Sequence, residues 1–164
     1  MTSNTDTDAR SADLTLYDVV LTRLYDAPRE DVFDAWSNEE RLLRWFGPDL
    51  YPAVSYDLDF RPGGSFEVCM RGPNGKEARS GGEYLEIVPP ERIVTTTRIE
   101  HEGAVFEVLQ TVTFVARGDQ TELTLEHRVQ RNDGFPGAGG AQVGWEQTLA
   151  RLGVHLAETR GGAG

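Results

Sequence analysis

The chain has 164 residues, 38% of them hydrophobic and 26% charged, which is enough apolar material to bury one core without disulfide or metal staples. Its net charge is −11. No basic face is visible, which argues against a nucleic-acid partner and against an anionic membrane surface. No apolar run approaches the roughly 18 residues of a membrane span. Lys76 is the only lysine and Cys69 the only cysteine, so no internal disulfide can form. With this cysteine usage the chain reads as cytoplasmic. The acidity reads as that of an ordinary acidic protein, with a salt-rich cytoplasm as the alternative. Met1 to Asp13 is polar and lacks an apolar signal-peptide core, so residues 1–13 read as a disordered tail, as do Gly161 to Gly164. Residues 14–160 read as a single domain.

A strand is expected over Leu16 to Leu24, where Val19, Val20 and Leu21 run together as in a buried strand. Asp26-Ala27-Pro28 starts a helix. Proline suits its first position, and Glu30 and Asp31 suit the positive end of the dipole. Val32, Phe33 and Trp36 form its inner face. Ser37-Asn38-Glu39-Glu40 has the spacing of a capping box for a second helix. That helix carries Leu42, Leu43, Trp45 and Phe46 and stops at Gly47-Pro48.

Strand-like runs follow without interruption. Tyr56, Leu58 and Phe60 alternate with Asp57 and Asp59, and Arg61-Pro62-Gly63-Gly64 makes a turn. Phe66, Val68 and Met70 alternate next, and Pro73-Asn74-Gly75 closes a hairpin. Gly82 to Val88 ends at Pro89-Pro90. Arg92 to Glu100 is rich in threonine and β-branched residues and turns at His101-Glu102-Gly103. Phe106, Val108, Gln110, Val112 and Phe114 share one strand face, and Leu123, Leu125 and His127 share another. Asp133 to Gly140 is a glycine-rich loop. A final helix spans Ala141 to Thr159, with Trp145, Leu149, Leu152 and Leu156 on one stripe. Gly144 in that helix either packs closely on the sheet, the preferred reading, or leaves room for a ligand.

The elements predict an α+β domain in which a seven-stranded antiparallel sheet is covered by the C-terminal helix. Such an arrangement tends to enclose a cavity. Four segments also resemble a known family. Ala27-Pro28 with Val32-Phe33 and Arg44-Trp45-Phe46-Gly47-Pro48 resembles the opening signature of the heat-shock-chaperone ATPase activator-like proteins. These belong to the SRPBCC superfamily, also called START or birch-pollen-allergen-like. Asp59 to Phe66, Gly82 to Arg92, and Gly144-Trp145 with Leu149 and Leu152 resemble its later motifs, so the resemblance runs from Thr15 to Glu158. It implies the helix-grip fold, a sheet wrapped around the last helix. It leaves the activity open, since the superfamily includes lipid carriers, hormone receptors and polyketide cyclases.

The candidate ligand-binding residues are Trp45, Phe46, Phe66, Val68, Met70, Tyr84, Gln110, Val112, Phe114, Leu123, Leu125, His127, Trp145 and Leu149. Each is also what a plain core requires, which taken singly is the preferred reading; the pocket rests on the architecture. His101 and His155 read as surface groups. His127 either faces the cavity or is a structural histidine at the sheet edge, the latter being preferred. Cys69 reads as an inert thiol. If Tyr84 points inward, period-two spacing brings Glu86 inward too, the preferred reading being a solvated carboxylate at the mouth. The resulting expectation is a binder of a small apolar or amphipathic molecule, without catalytic residues and without cofactor. A co-chaperone-like interaction module is the second reading and a cyclase- or hydrolase-like enzyme the third. Sheet-edge pairing leaves a homodimer open. The three histidines lack metal-ligand spacing and no phosphate-binding loop is present. Elemental analysis of protein purified without chelator is therefore expected to find no stoichiometric transition metal; a stoichiometric metal would mean that the scattered histidines converge.

Overall fold

The first strand, β1 (Val19–Tyr25), alternates: Val19, Leu21 and Tyr25 are buried while Val20, Thr22 and Leu24 face solvent. The expected continuous burial of Val19, Val20 and Leu21 is thus replaced by the two-sided pattern of a sheet with one wet face. The computed structural model describes residues 18–101, 103–133 and 140–163. The expected N-terminal tail, Leu16, and the tip of the glycine-rich loop lie outside them.

Two short helices follow β1. In α1 (Arg29–Ser37) Pro28 is the cap residue rather than the first helical residue. Its carbonyl accepts the amides of Asp31 and Val32 at 3.0 and 3.1 Å. Val32, Phe33, Ala35 and Trp36 are buried. The cap of α2 (Glu39–Trp45) is Asn38, whose side chain accepts the Arg41 amide at 3.2 Å. Ser37, expected in that role, donates its hydroxyl back to the Asp34 carbonyl at 3.3 Å. The two helices are locked together by the Trp45 indole N–H, which donates to the Ala35 carbonyl at 3.1 Å, and by edge-on packing of Trp36 on Trp45.

The remaining strands are β2 (Ala53–Leu58), β3 (Ser65–Arg71), β4 (Glu77–Val88), β5 (Arg92–His101), β6 (Ala104–Arg117) and β7 (Gln120–Asn132). They form a meander, and β1 pairs beside β7, so that the order is β1-β7-β6-β5-β4-β3-β2 with every pair antiparallel. Between β2 and β3, Gly63 adopts φ +86°, and a side chain at Gly64 would overlap the Asp59 carbonyl. The ladder of β7 continues past the start of β1 by a side-chain substitute: Asp18 Oδ1 accepts the Val129 amide at 2.7 Å.

One irregularity redirects a candidate group. The pairing of β4 with β5 shifts between Tyr84 and Glu86, a bulge at Leu85. Tyr84 is buried, but Glu86 turns outward and pairs with Arg92 at 2.7 Å. The inward reading of Glu86 is therefore wrong, because period-two spacing does not survive a bulge.

Helix α3 (Ala141–Ala163) lies across the inner face of the sheet and continues past the expected end at Thr159, through residues 161–163 that the sequence reads as a tail. Leu149, Leu152 and Leu156 are fully buried, and Trp145 is half-buried. The Tyr25 hydroxyl on β1 donates to the Leu149 carbonyl at 2.8 Å. Beside it, a Cβ at Gly153 would stand 3.4 Å from the Tyr25 ring, so helix and strand are in close contact there. Leu152→Ala is expected to cost about 2–5 kcal/mol in chemical denaturation. Val154→Ala, at a site 59% exposed, should stay within about 0.5 kcal/mol. Truncation before Gly140 removes the cover of the sheet and is expected to leave an unfolded or insoluble product.

Candidate functional site

The inner face of the sheet is not covered evenly. Around β1 and the neighbouring ends of β6 and β7, Phe114, Leu123 and Leu125 are sealed by α1 and the leucines of α3. Phe33 and Trp36 lie edge-on to Phe114 at 5.3 and 6.3 Å between ring centroids. Toward the start of α3 the helix stands off, and a cavity of about 330 Å³ remains. Its floor comes from alternate residues of the strands: Phe66, Val68 and Met70 of β3, Tyr84 of β4, Ile93, Thr95, Thr97 and Ile99 of β5, Phe106, Val108, Gln110 and Val112 of β6, and His127 of β7. Tyr56 and Ser80 complete the floor. Trp36 and the Phe46-Gly47-Pro48 turn form a side wall, and Gly140, Ala141, Gly144, Trp145 and Thr148 form the roof.

Nine of the sequence candidates meet on this cavity: Phe46, Phe66, Val68, Met70, Tyr84, Gln110, Val112, His127 and Trp145. Trp45, Phe114, Leu123, Leu125 and Leu149 do not line it; all five are core residues with at most 1% exposure. The sequence reading did not single out Trp36, Tyr56 or the β5 row as candidates. The alternation of Ile93, Thr95, Thr97 and Ile99 was a usable signal for the last of these. Gly144 leaves room rather than packing closely: a Cβ built there would meet nothing within 4 Å. Residues 134–139 of the glycine-rich loop lie outside the described residues.

Among the described residues the lining contains no Asp, Glu, Lys or Arg. Its polar groups are neutral. Burial pushes the hydroxyls of Tyr56 and Tyr84 well above the usual phenol range. His127 is buried and accepts the Trp145 indole N–H at Nδ1, 3.2 Å away. Burial lowers its pKa to about 4, against a smaller opposing pull from Asp18. It sits in the cavity wall, on β7, one strand in from the sheet edge. Among the described residues no three His, Cys, Asp or Glu side chains gather to hold a metal.

His155 departs from expectation. It is buried rather than on the surface, and its Nε2 accepts Arg41 Nε at 3.0 Å. Arg41 in turn pairs with Asp31 at 2.8 Å and Asp34 at 3.0 Å, linking α1, α2 and α3. Burial, with the nearby Arg41 charge, lowers the His155 pKa. Cys69 is buried, and the side chain of His101 lies outside the described structure.

Both buried histidines bind a proton more readily in the unfolded chain, so stability falls as pH drops below their unfolded pKa. For His127, between an ordinary 6.5 and about 4, the loss is about 2 kcal/mol by pH 5. Urea unfolding at pH 7 and pH 5 should show it. His127→Gln should shrink the difference between the two pH values by about that amount; an unchanged difference would rule out this source.

Residues 26–157 match the family described as Activator of Hsp90 ATPase homolog 1-like protein. Among curated proteins none matches. Solved structures do. A protein of Chromobacterium violaceum is 26% identical, with 87% of this chain and 98% of that chain covered and a TM-score of 0.76. A protein of Rhizobium leguminosarum is 31% identical over 86% of this chain and 94% of that one, with a TM-score of 0.76. The AHSA1 protein of Silicibacter pomeroyi is 25% identical over 87% and 99% of the two chains, with a TM-score of 0.69. The helix-grip architecture is common to these proteins and to the chain described above, which belongs to the family of Activator of Hsp90 ATPase homolog 1-like proteins.

Proposed function

We propose that this protein binds a small apolar or amphipathic molecule between its sheet and the start of α3, without transforming it. The observation that carries the reading is an uncharged cavity of about 330 Å³ whose roof is kept open by Gly144. That volume is in the range of small-molecule sites, which run from about 300 Å³ upward. Acid–base or nucleophilic chemistry usually couples two or more titratable groups of shifted pKa. Among the described residues, one neutral imidazole stands among phenols that burial holds protonated, with no carboxylate, thiol or amine side chain beside it in the lining. The family match supports a second reading, an interaction module acting on a heat-shock chaperone ATPase.

A neutral solvatochromic dye such as Nile red should bind the folded protein at about one equivalent and quench or shift the emission of Trp145. Gly144→Leu places its side chain in open space, so the variant should stay folded and lose dye affinity by about tenfold or more. Absence of saturable binding to the wild type would overturn the carrier reading and leave the chaperone reading, which stimulation of a chaperone ATPase by the purified protein would test.

A further inference from the structure

The rings that line the cavity touch one another in sequence. From the roof, Trp145 meets Phe46 at 5.8 Å between centroids, Phe46 meets Tyr56 at 5.2 Å, Tyr56 meets Phe66 at 6.3 Å and Phe66 meets Tyr84 at 5.3 Å. In the other direction Trp145 meets His127 at 6.3 Å and His127 meets Phe106 at 6.4 Å. All seven line the cavity. This belt of rings runs from β6 through β7, the roof, the turn after α2, β2 and β3 to β4, and in the sheet only β5 separates its two ends. Phe46, Phe66 and Trp145 are each only half-buried although they pack on other rings, so each keeps ring surface that no protein side chain covers.

Where β5 interrupts the belt, the floor is polar. The strand register places Tyr84, Thr95, Gln110 and His127 opposite one another on β4, β5, β6 and β7, so they cross the floor as one row. Neighbours in such a row stand about 4.5–5.5 Å apart at Cβ. Among the described residues the side chains of Tyr84, Thr95 and Gln110 have no hydrogen-bond partner in the protein, yet none of them is among the unpartnered atoms sealed from contact, as His127 Nε2 is. An occupant can therefore reach all three. Their hydroxyl and amide groups both give and accept hydrogen. Tyr84 and His127 belong to belt and row alike, so the two features border the same space.

We propose that the molecule held in this cavity is a neutral aromatic compound carrying a hydroxyl, its rings clasped by Trp145, Phe46 and Phe66 and its hydroxyl set on the row of Tyr84, Thr95 and Gln110. The inference rests on the carrier reading above. A saturated ring system or an acyl chain would gain burial but none of the edge-on and offset-stacked contacts that aromatic pairs add. A cation would be drawn to the ring faces, but the described lining has no carboxylate to balance it. An aromatic carboxylate would lose its hydration with no Lys or Arg there to replace it. An unsubstituted aromatic would leave the polar row unpaired.

The test compares 2-naphthol with naphthalene, which lacks the hydroxyl, and with decahydro-2-naphthol, which keeps the frame and the hydroxyl but has no aromatic ring. Binding is read by calorimetry and by displacement of bound Nile red. Burial of apolar area alone would favour the other two over 2-naphthol. 2-Naphthol should nevertheless bind about tenfold or more tightly than either, the ratio that a few aromatic contacts or a newly paired buried hydroxyl would give. Nuclear Overhauser contacts supply a second readout: the protons of bound 2-naphthol should reach the rings of Phe46 and Trp145 and the methyl group of Thr95. Phe66→Leu should lower the ratio of 2-naphthol to decahydro-2-naphthol affinity, and Thr95→Val the ratio of 2-naphthol to naphthalene affinity; a loss of stability alone would move neither ratio. Affinity for either comparison compound equal to or above that for 2-naphthol overturns this inference and leaves the carrier reading standing. Failure of all three to bind or to displace the dye overturns the carrier reading itself. Because the wild-type ligand series decides alone, a variant that fails to fold does not rescue the proposal.

Discussion

The structure depends on how α3 is fastened. One stretch of it is tied to β1, by Leu149, Leu152 and Leu156 in the core and by the Tyr25 hydroxyl on the Leu149 carbonyl. Near its beginning the same helix reaches the sheet through the long side chain of Trp145, which donates to His127, and Gly140, Ala141 and Gly144 face the gap. A rigid helix held close at one point and away at another makes a wedge, and the cavity is the open side of that wedge. The helices α1 and α2 set its width, since Trp36 and Phe46 are both placed against Trp145, at 6.3 and 5.8 Å between centroids.

This fastening explains why the inner face of a single sheet is solid in one place and hollow in another although its residues look alike. Val112 lines the cavity and Phe114, two residues on, belongs to the sealed core. The side chains obey the same alternation. What differs is the distance of the helix above them, which is a property of the assembled layers.

Much of the architecture was legible because it is written in local patterns. Alternating strands, glycine and proline turns and the four-three-four stripe of α3 place the elements in their correct order. The division between cavity and core was not legible, because apolar lining and apolar core use the same residue types; Trp45 and Phe46 are adjacent in sequence and fall on opposite sides of it. Two other departures from local pattern have specific causes. Glu86, for which a solvated position was the preferred reading, is kept off the inner face by the Leu85 bulge, which breaks the period-two spacing. His155 was assigned to solvent because its partner, Arg41, is 114 residues away and supplies a hydrogen bond that no local pattern announces. The start of α2 shows the limit of motif spacing at its smallest scale, where Asn38 rather than Ser37 takes the cap.

The carboxylate of Asp18 has a bearing on assembly. β7 is nearly twice as long as β1, and where β1 begins the next backbone donor on β7, that of Val129, is already occupied by Asp18 Oδ1. A strand from another molecule that extended the ladder there would first have to evict a charged acceptor, then leave that charge beside its own backbone carbonyls. The ladder of β7 is thus capped beyond β1 by a single side chain, in the manner of sheets that guard their edges with charge.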